Sequence, residues 1–169
     1  VMTLSVGLVY DLRDDYLAEG YSCEAVAEFD SRATIDALDA AIVSQGFRTD
    51  RIGNARALCR RLLAGDRWDL VFNVAEGLHG RSREAQVPCI LELFGIPYTF
   101  SDPLVSAVTL DKAVAKTLVR AAGLHTPDSL LVRTRAGQRR GSGDAEPLPS
   151  PHRPDAGPGV ESAHAPFEL

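Results

Sequence analysis

The chain has 169 residues, 45% of them hydrophobic and 24% charged, with a net charge of −5. That length suits one domain, or one domain with a tail, and the acidic balance, with no basic run able to track a phosphate backbone, argues against nucleic acid as a partner. No apolar stretch approaches the ~18 residues of a membrane span, and the opening Val1-Met2-Thr3-Leu4-Ser5-Val6-Gly7 has no basic n-region or cleavage site, so neither a membrane anchor nor a signal peptide is expected.

Leu4 to Tyr10 is a mostly apolar run that reads as a buried strand. Asp11 to Tyr21 is polar, carries Gly20 and reads as loop. Asp30 or Ser31 can cap a helix with apolar positions Ile35, Leu38, Ala41, Ile42 and Val43, stopped by Gly46. Phe47 to Ile52 is a short strand. Asn54 caps a second helix with Leu58, Leu62 and Leu63 inward, ending at Gly65. Asp69 to Val74 is the third strand, followed by the loop Ala75-Glu76-Gly77-Leu78-His79-Gly80-Arg81-Ser82-Arg83. A helix from about Glu84 to Phe94 must hold Pro88 in its first turn or at a kink, and Gly95 ends it. Ile96 to Phe100 reads as a fourth strand. Asp102-Pro103 turns the chain into Leu104–Leu110, and a helix from Asp111 to Ala122 stops at Gly123. After Thr126-Pro127, Ser129 to Arg133 reads as one more strand. Strands alternating with helices predict an α/β fold with a parallel sheet and right-handed crossovers.

The character changes near Arg135. The last 35 residues hold 11 Gly plus Pro, against 13 in the first 134, and their large apolar residues are Leu148, Val160, Phe167 and Leu169. No periodicity survives there, which predicts a disordered tail.

The loop after the third strand lies where α/β proteins bind ligands, beyond the carboxyl ends of parallel strands. A dinucleotide fingerprint needs Gly-x-Gly-x-x-Gly after the first strand. Here Asp11-Leu12-Arg13-Asp14-Asp15 stands there and repels phosphate, which sets NAD and FAD aside; the Walker A pattern is also absent. Gly77 and Gly80 mark either a tight turn or a ligand cradle. Arg81 and Arg83 mark either a solvated helix start or a clamp for an anion. The chain's two lysines, Lys112 and Lys116, stand at i and i+4 against sixteen arginines, as either a solvated face or a phosphate contact. Glu28 is either a first-turn carboxylate complementing a helix dipole or a counter-ion for an ammonium. Asp11, Asp14 and Asp15 read as a solvated loop more readily than as a cation site, and His79 and His125 as loop histidines rather than catalytic bases. Cys23, Cys59 and Cys89 are odd in number without a Cys-x-x-Cys, as in a reduced, cytoplasmic protein. The scattered histidines predict no metal site.

The segment Asp69-Leu-Val-Phe-Asn-Val-Ala-Glu-Gly, then Gly80-Arg-Ser-Arg-Glu-Ala-Gln-Val-Pro, resembles the D-alanine–D-alanine ligase family, and within it the ligase-related branch of the ATP-grasp group. The likeness continues through Leu91-Glu-Leu-Phe-Gly-Ile-Pro-Tyr-Thr, Ser101-Asp-Pro-Leu, Leu110-Asp-Lys-Ala-Val-Ala-Lys116 and Ala122-Gly-Leu-His-Thr-Pro127, and covers roughly residues 4 to 133. It implies a Rossmann-like, pre-ATP-grasp domain at residues 1–127, the truncated start of the central domain at 128–134, and an unrelated tail at 135–169. The family uses ATP and Mg2+ to activate the carboxylate of one D-alanine as an acyl phosphate, which the amine of a second D-alanine attacks, for peptidoglycan synthesis. By resemblance, Glu28 holds the first ammonium, Lys112 reaches the ATP phosphates, Gly77 is the glycine after the third strand, and Glu76 and Arg81 line the substrate loop. Glu76 stands where ligases proper have histidine, and Phe100 where the family has glycine. No counterpart of the adenine pocket, the catalytic arginine or the magnesium ligands follows Arg135. The chain is therefore expected to bind a small amino acid, to hold neither ATP nor Mg2+ productively, and to carry no catalytic residue of its own. A homodimer through this domain is the family's habit. The alternative is a non-catalytic amino-acid-binding or dimerisation module.

Overall fold

A computed structural model describes residues 3–132. Ser5–Val9 (β1) is the central strand. Its Val6, Leu8 and Val9 are all at most 3% exposed, because a parallel strand is covered on both faces. Arg48–Gly53 (β2) and Leu70–Asn73 (β3) flank it in the order β2-β1-β3, both pairs parallel, with Val6 opposite Thr49 on one side and Leu70 on the other. The expected α/β architecture with a parallel sheet is what forms.

Helices cover both faces. Arg32–Ser44 (α2) is capped by Ser31, whose hydroxyl accepts from the Thr34 amide, and it sets Ile35 against Leu8 and Leu12. Its Leu38 and Ile42 are partly buried, but Ala41 and Val43 lie outside that stripe and are exposed, contrary to expectation. On the other face, Ala55–Leu63 (α3), capped by Asn54, brings Leu58 and Leu62 onto Val9, Ile52, Trp68 and Val71. Leu63, expected inward, is 79% exposed, since it follows the buried Leu62 by a rotation of 100° about the helix. Gln86–Leu93 (α4) joins the same cluster through Val87 and Leu91. Pro88 is its third residue, in the first turn where no intrahelical donor is required, behind a 3-10 turn at Arg83–Ala85. Gly7 lets this layer close on the strand: a Cβ there would come within 2.5 Å of the Ile52 Cδ1 and 3.0 Å of the Trp68 ring.

Three expected elements differ. Arg13–Ala18 (α1) is a helix where a loop was expected; Leu12 and Tyr16, four residues apart, are both buried, so tertiary packing overrides a polar composition. The fourth strand shrinks to one bridge, Tyr98 beside Val71, held by Val71 N–H to Pro97 O (2.8 Å) and Thr99 N–H to Val71 O (3.0 Å). Pro97 has no donor to extend it, and Phe100 leaves the extended region with φ 72°. Ser129–Val132 form no strand, and Leu130, Leu131 and Val132 are exposed rather than buried against a sheet; Arg133 lies outside the described residues.

Asp102 caps Pro103–Leu110 (α5), and Asp111 ends it and caps Lys112–Ala121 (α6) in turn. The chain groups into two units, Val1–Leu130 and Leu131–Leu169. The expected tail at 135–169, and residues 133–134 of the expected central-domain start at 128–134, fall outside the described residues. Among the described residues no helix is long and apolar enough to cross a membrane.

Candidate functional site

At the carboxyl ends of β1 and β3 the chain leaves a cleft of about 370 Å³. Glu28, Asp30, Glu76 and Glu84 line it, together with the end of β3 (Asn73, Val74, Ala75) and a lip made by Phe100, Ser101, Ser106 and Thr109. Three separate segments meet there, and one buried residue joins two of them. Asp11, the first polar residue after the apolar run of β1, is 3% exposed. Its Oδ1 accepts from the Tyr16 hydroxyl at 2.5 Å and its Oδ2 from the Gly77 amide at 2.8 Å. Its own carbonyl accepts from the Asp30 amide at 3.1 Å. The Gly77 loop and the Glu28–Asp30 segment are thus fastened to the same residue. The reading of Asp11 as part of a solvated or cation-binding loop is corrected: Asp14 and Asp15 are exposed, Asp11 is structural, and no group of three or more His, Cys, Asp or Glu among the described residues could hold a metal ion.

Gly77 sits at φ +71°, and a Cβ there would lie 2.8 Å from the Arg83 carbonyl oxygen, so both backbone freedom and the missing side chain let the loop fold against the 3-10 turn. Glu28 lies in the turns before α2, three residues ahead of the cap Ser31, and so outside that helix's first turn. Arg13 donates to the Ala27 and Phe29 carbonyls on either side of it (3.1 and 2.9 Å), and Arg83 donates to its Oε2 at 2.5 Å. Its side chain stays 70% exposed, held in place and open to the cleft.

The charges of the cleft strain against one another. Burial, then the neighbouring Glu84 and Glu28 carboxylates, push the Glu76 carboxyl above its ordinary value, opposed by Arg83. Burial and the Asp11 charge raise Asp30. Such a wall favours a cation and repels phosphate.

The remaining expected site residues fall around this cleft. Arg81 does not line it: its guanidinium reaches Asp111, Nε to Oδ2 at 2.6 Å, and joins the loop to the start of α6. The bond from the Val114 amide, then that Arg81 contact and the Ala113 amide, hold the Asp111 carboxyl below its usual range. Lys112 is exposed, with Nζ 3.3 Å from the carbonyl of Thr109, a lip residue. Lys116 instead donates to the Pro127 carbonyl at 2.9 Å. The anion clamp envisaged for Arg81 and Arg83 is absorbed by Asp111 and Glu28. The cleft lining, four carboxylates with hydroxyls, carries no lysine or arginine to meet the phosphates of ATP. Asp30, Glu84, Tyr16 and Asp11 were not singled out for this role in the sequence; the position of Asp11 at the end of an apolar strand was the available signal.

No family model matches the chain. It is 36% identical over 137 residues to a D-alanine–D-alanine ligase of Sinorhizobium fredii (strain NBRC 101917 / NGR234), covering 80% of this chain and 41% of that protein. The uncharacterized protein y4sG of the same organism is 37% identical over 105 residues, 59% of this chain and 30% of that protein. A solved D-alanine–D-alanine ligase from Bacillus anthracis superposes with a TM-score of 0.46 at 23% identity, covering 76% of this chain and 37% of that one. The chain spans about 41% of the length of the Sinorhizobium ligase it matches. Over 80% of its length the chain is thus a homologue of proteins named D-alanine–D-alanine ligase, and it corresponds to about 41% of each.

Proposed function

We propose that this domain is the amino-acid-binding wall of a carboxylate–amine ligase of the D-alanine–D-alanine ligase type, acting in cell-wall precursor synthesis in the cytoplasm. The observation that carries the reading is the carboxylate-lined cleft in which Arg83 holds Glu28 outward. Glu28 accepts hydrogen bonds from the ammonium of a small amino acid such as D-alanine, and Glu76 and Glu84 add to the negative potential around it. Gly77 shapes the loop that carries Glu76. The amino acid's own carboxylate then turns toward the lip, away from like charge, where Ser101, Ser106 and Thr109 carry hydroxyls. Lys112, beyond that lip, is the cation assigned to a phosphate.

In the family's reaction ATP and Mg2+ turn the first carboxylate into an acyl phosphate. The described residues supply binding and orientation and no group for that transfer, so the chain by itself is expected to bind the amino acid without releasing ADP. Sustained ADP release with D-alanine, ATP and Mg2+ would defeat that part of the proposal. Calorimetric titration tests the binding: D-alanine gives a saturable heat that Glu28→Gln abolishes, whereas propionate, which has no ammonium, gives none. Equal binding of propionate, or an unaffected Glu28→Gln, sinks the assignment. Pairing of two copies through this domain belongs to the same proposal, and light scattering that finds a monomer at all concentrations removes it.

A further inference from the structure

Among the described residues, Phe100 is the one non-glycine residue with positive φ, at 72°. An L-residue there sets its Cβ against the following carbonyl, and for a bulky side chain this is a true outlier. The backbone on either side explains why the turn is needed. Thr99 is tied to the sheet edge, its amide donating to the Val71 carbonyl at 3.0 Å and its hydroxyl accepting from the Asn73 amide at 3.1 Å. Two residues after Phe100, Asp102 caps α5, its Oδ1 accepting from the Val105 amide at 2.8 Å. The chain must therefore reverse within a residue or two, and a glycine would do so without a Cβ penalty.

Packing does not offset the strain. The ring meets Phe72 edge-on at 5.4 Å between centroids, yet Phe100 remains 71% exposed. Phe100 does line the cleft, where it is the aromatic residue among carboxylates, hydroxyls, the Asn73 amide and small side chains. Strained residues of this kind cluster at active sites and ligand clamps, and this one stands on the lip of the cleft.

We propose that Phe100 sets the substrate class of this cleft: its ring is the apolar contact for the side chain of an α-amino acid whose ammonium the carboxylates hold. The site then takes amino acids with an apolar side chain and ranks them by its size. The inference rests on the amine-binding reading above.

Calorimetry on the full chain with glycine, D-alanine and D-leucine tests it, on the wild type, Phe100→Gly and Phe100→Ala. In the wild type, affinity rises from glycine to D-leucine by about tenfold or more, as burial of a few methylenes predicts. In both variants the leucine-to-glycine ratio collapses toward one. Phe100→Gly relieves the left-handed strain and Phe100→Ala keeps it, so agreement between the two assigns the loss to the ring and not to the backbone. The Gly variant is expected to melt at or above the wild-type temperature. A wild-type gradient that persists in both variants, or a wild type that binds glycine as tightly as leucine, overturns the role of the ring and leaves amine binding standing. A Gly variant that melts well below the wild type shows that the ring serves the fold and overturns the proposal. No binding of any of the three amino acids to the wild type removes the amine reading, and this inference with it.

Discussion

The chain uses carboxylates in two opposite ways. Around β2 and the helices beside it, Asp36, Asp39, Asp50 and Asp66 are matched to cations: Arg51 reaches Asp36 and Asp39, and Arg61 reaches Asp50 and Asp66. Trp68 adds its indole N–H to Asp50 at 3.0 Å while the Arg61 guanidinium lies over its ring. Hydrogen bonds from Arg61 and Trp68 hold Asp50 below its ordinary value, and one from Thr49, with Arg51 behind it, does so for Asp39. In the cleft, Arg83 is the cation set among Glu28, Glu76 and Glu84, and Glu76 and Asp30 are pushed upward. The first arrangement is closed and serves the fold. The second leaves negative charge undercompensated, which costs stability and is useful where a cationic ligand completes it.

Substitutions can break this contrast at either end. The largest effect belongs to Trp68→Ala, which empties the core beside Gly7 and strips a donor from Asp50; we expect a loss of about 3–5 kcal/mol in chemical denaturation. Tyr16→Phe leaves the buried Asp11 Oδ1 without its donor and is expected to cost about 1–3 kcal/mol. It also loosens the Gly77 loop, so amide hydrogen exchange at Gly77 should quicken, whereas exchange in β2 should not.

Glu76→Gln works in the other direction. A raised carboxyl value means that the folded state favours the protonated form, so Glu76 weighs against the fold once pH climbs from the ordinary glutamate range through its raised value. At pH 7 the glutamine variant should therefore be more stable, by up to about 1 kcal/mol, and the gain should vanish below the ordinary range. Asp39 and Asp50 have the reverse sign: their contribution is present above the unfolded carboxylate range and lost as pH falls through their lowered values. Melting temperature against pH for the wild type, Glu76→Gln and Asp50→Asn separates the two, and a glutamine variant less stable at pH 7 would contradict the account. The smallest effect is Arg51→Ala, which removes the surface ion pairs to Asp36 and Asp39; the loss should shrink further in high salt.

Much of the fold is legible because its signals are local. Ser31 and Asn54 announce helix starts through bonds to amides three residues on, and Gly46, Gly65, Gly95 and Gly123 announce the ends by a left-handed φ that they alone adopt cheaply. The failures come where distant chain decides. Arg13–Ala18 has no side-chain capping bond at its start and a polar composition, and forms because Leu12 and Tyr16 find buried neighbours elsewhere. Tyr98 pairs as a bridge rather than a strand because Pro97 and Phe100 bracket it. In the site, the loop at Gly77 and the candidate Glu28 could be read from the residues. That Glu28 is aimed by an arginine 55 positions away, and that Arg81 turns instead to Asp111, could not, because no periodicity links such pairs.

Asp11 has a further consequence. Its two carboxylate oxygens and its carbonyl fasten α1, the Gly77 loop and the Glu28–Asp30 segment within three hydrogen bonds. The width of the cleft between those last two segments is therefore gauged by the dimensions of a single residue rather than by the stiffness of either loop. A glutamate at this position would add one methylene to the gauge, and the mouth of the site would be reset by a carbon–carbon bond without any change in the residues that face the ligand.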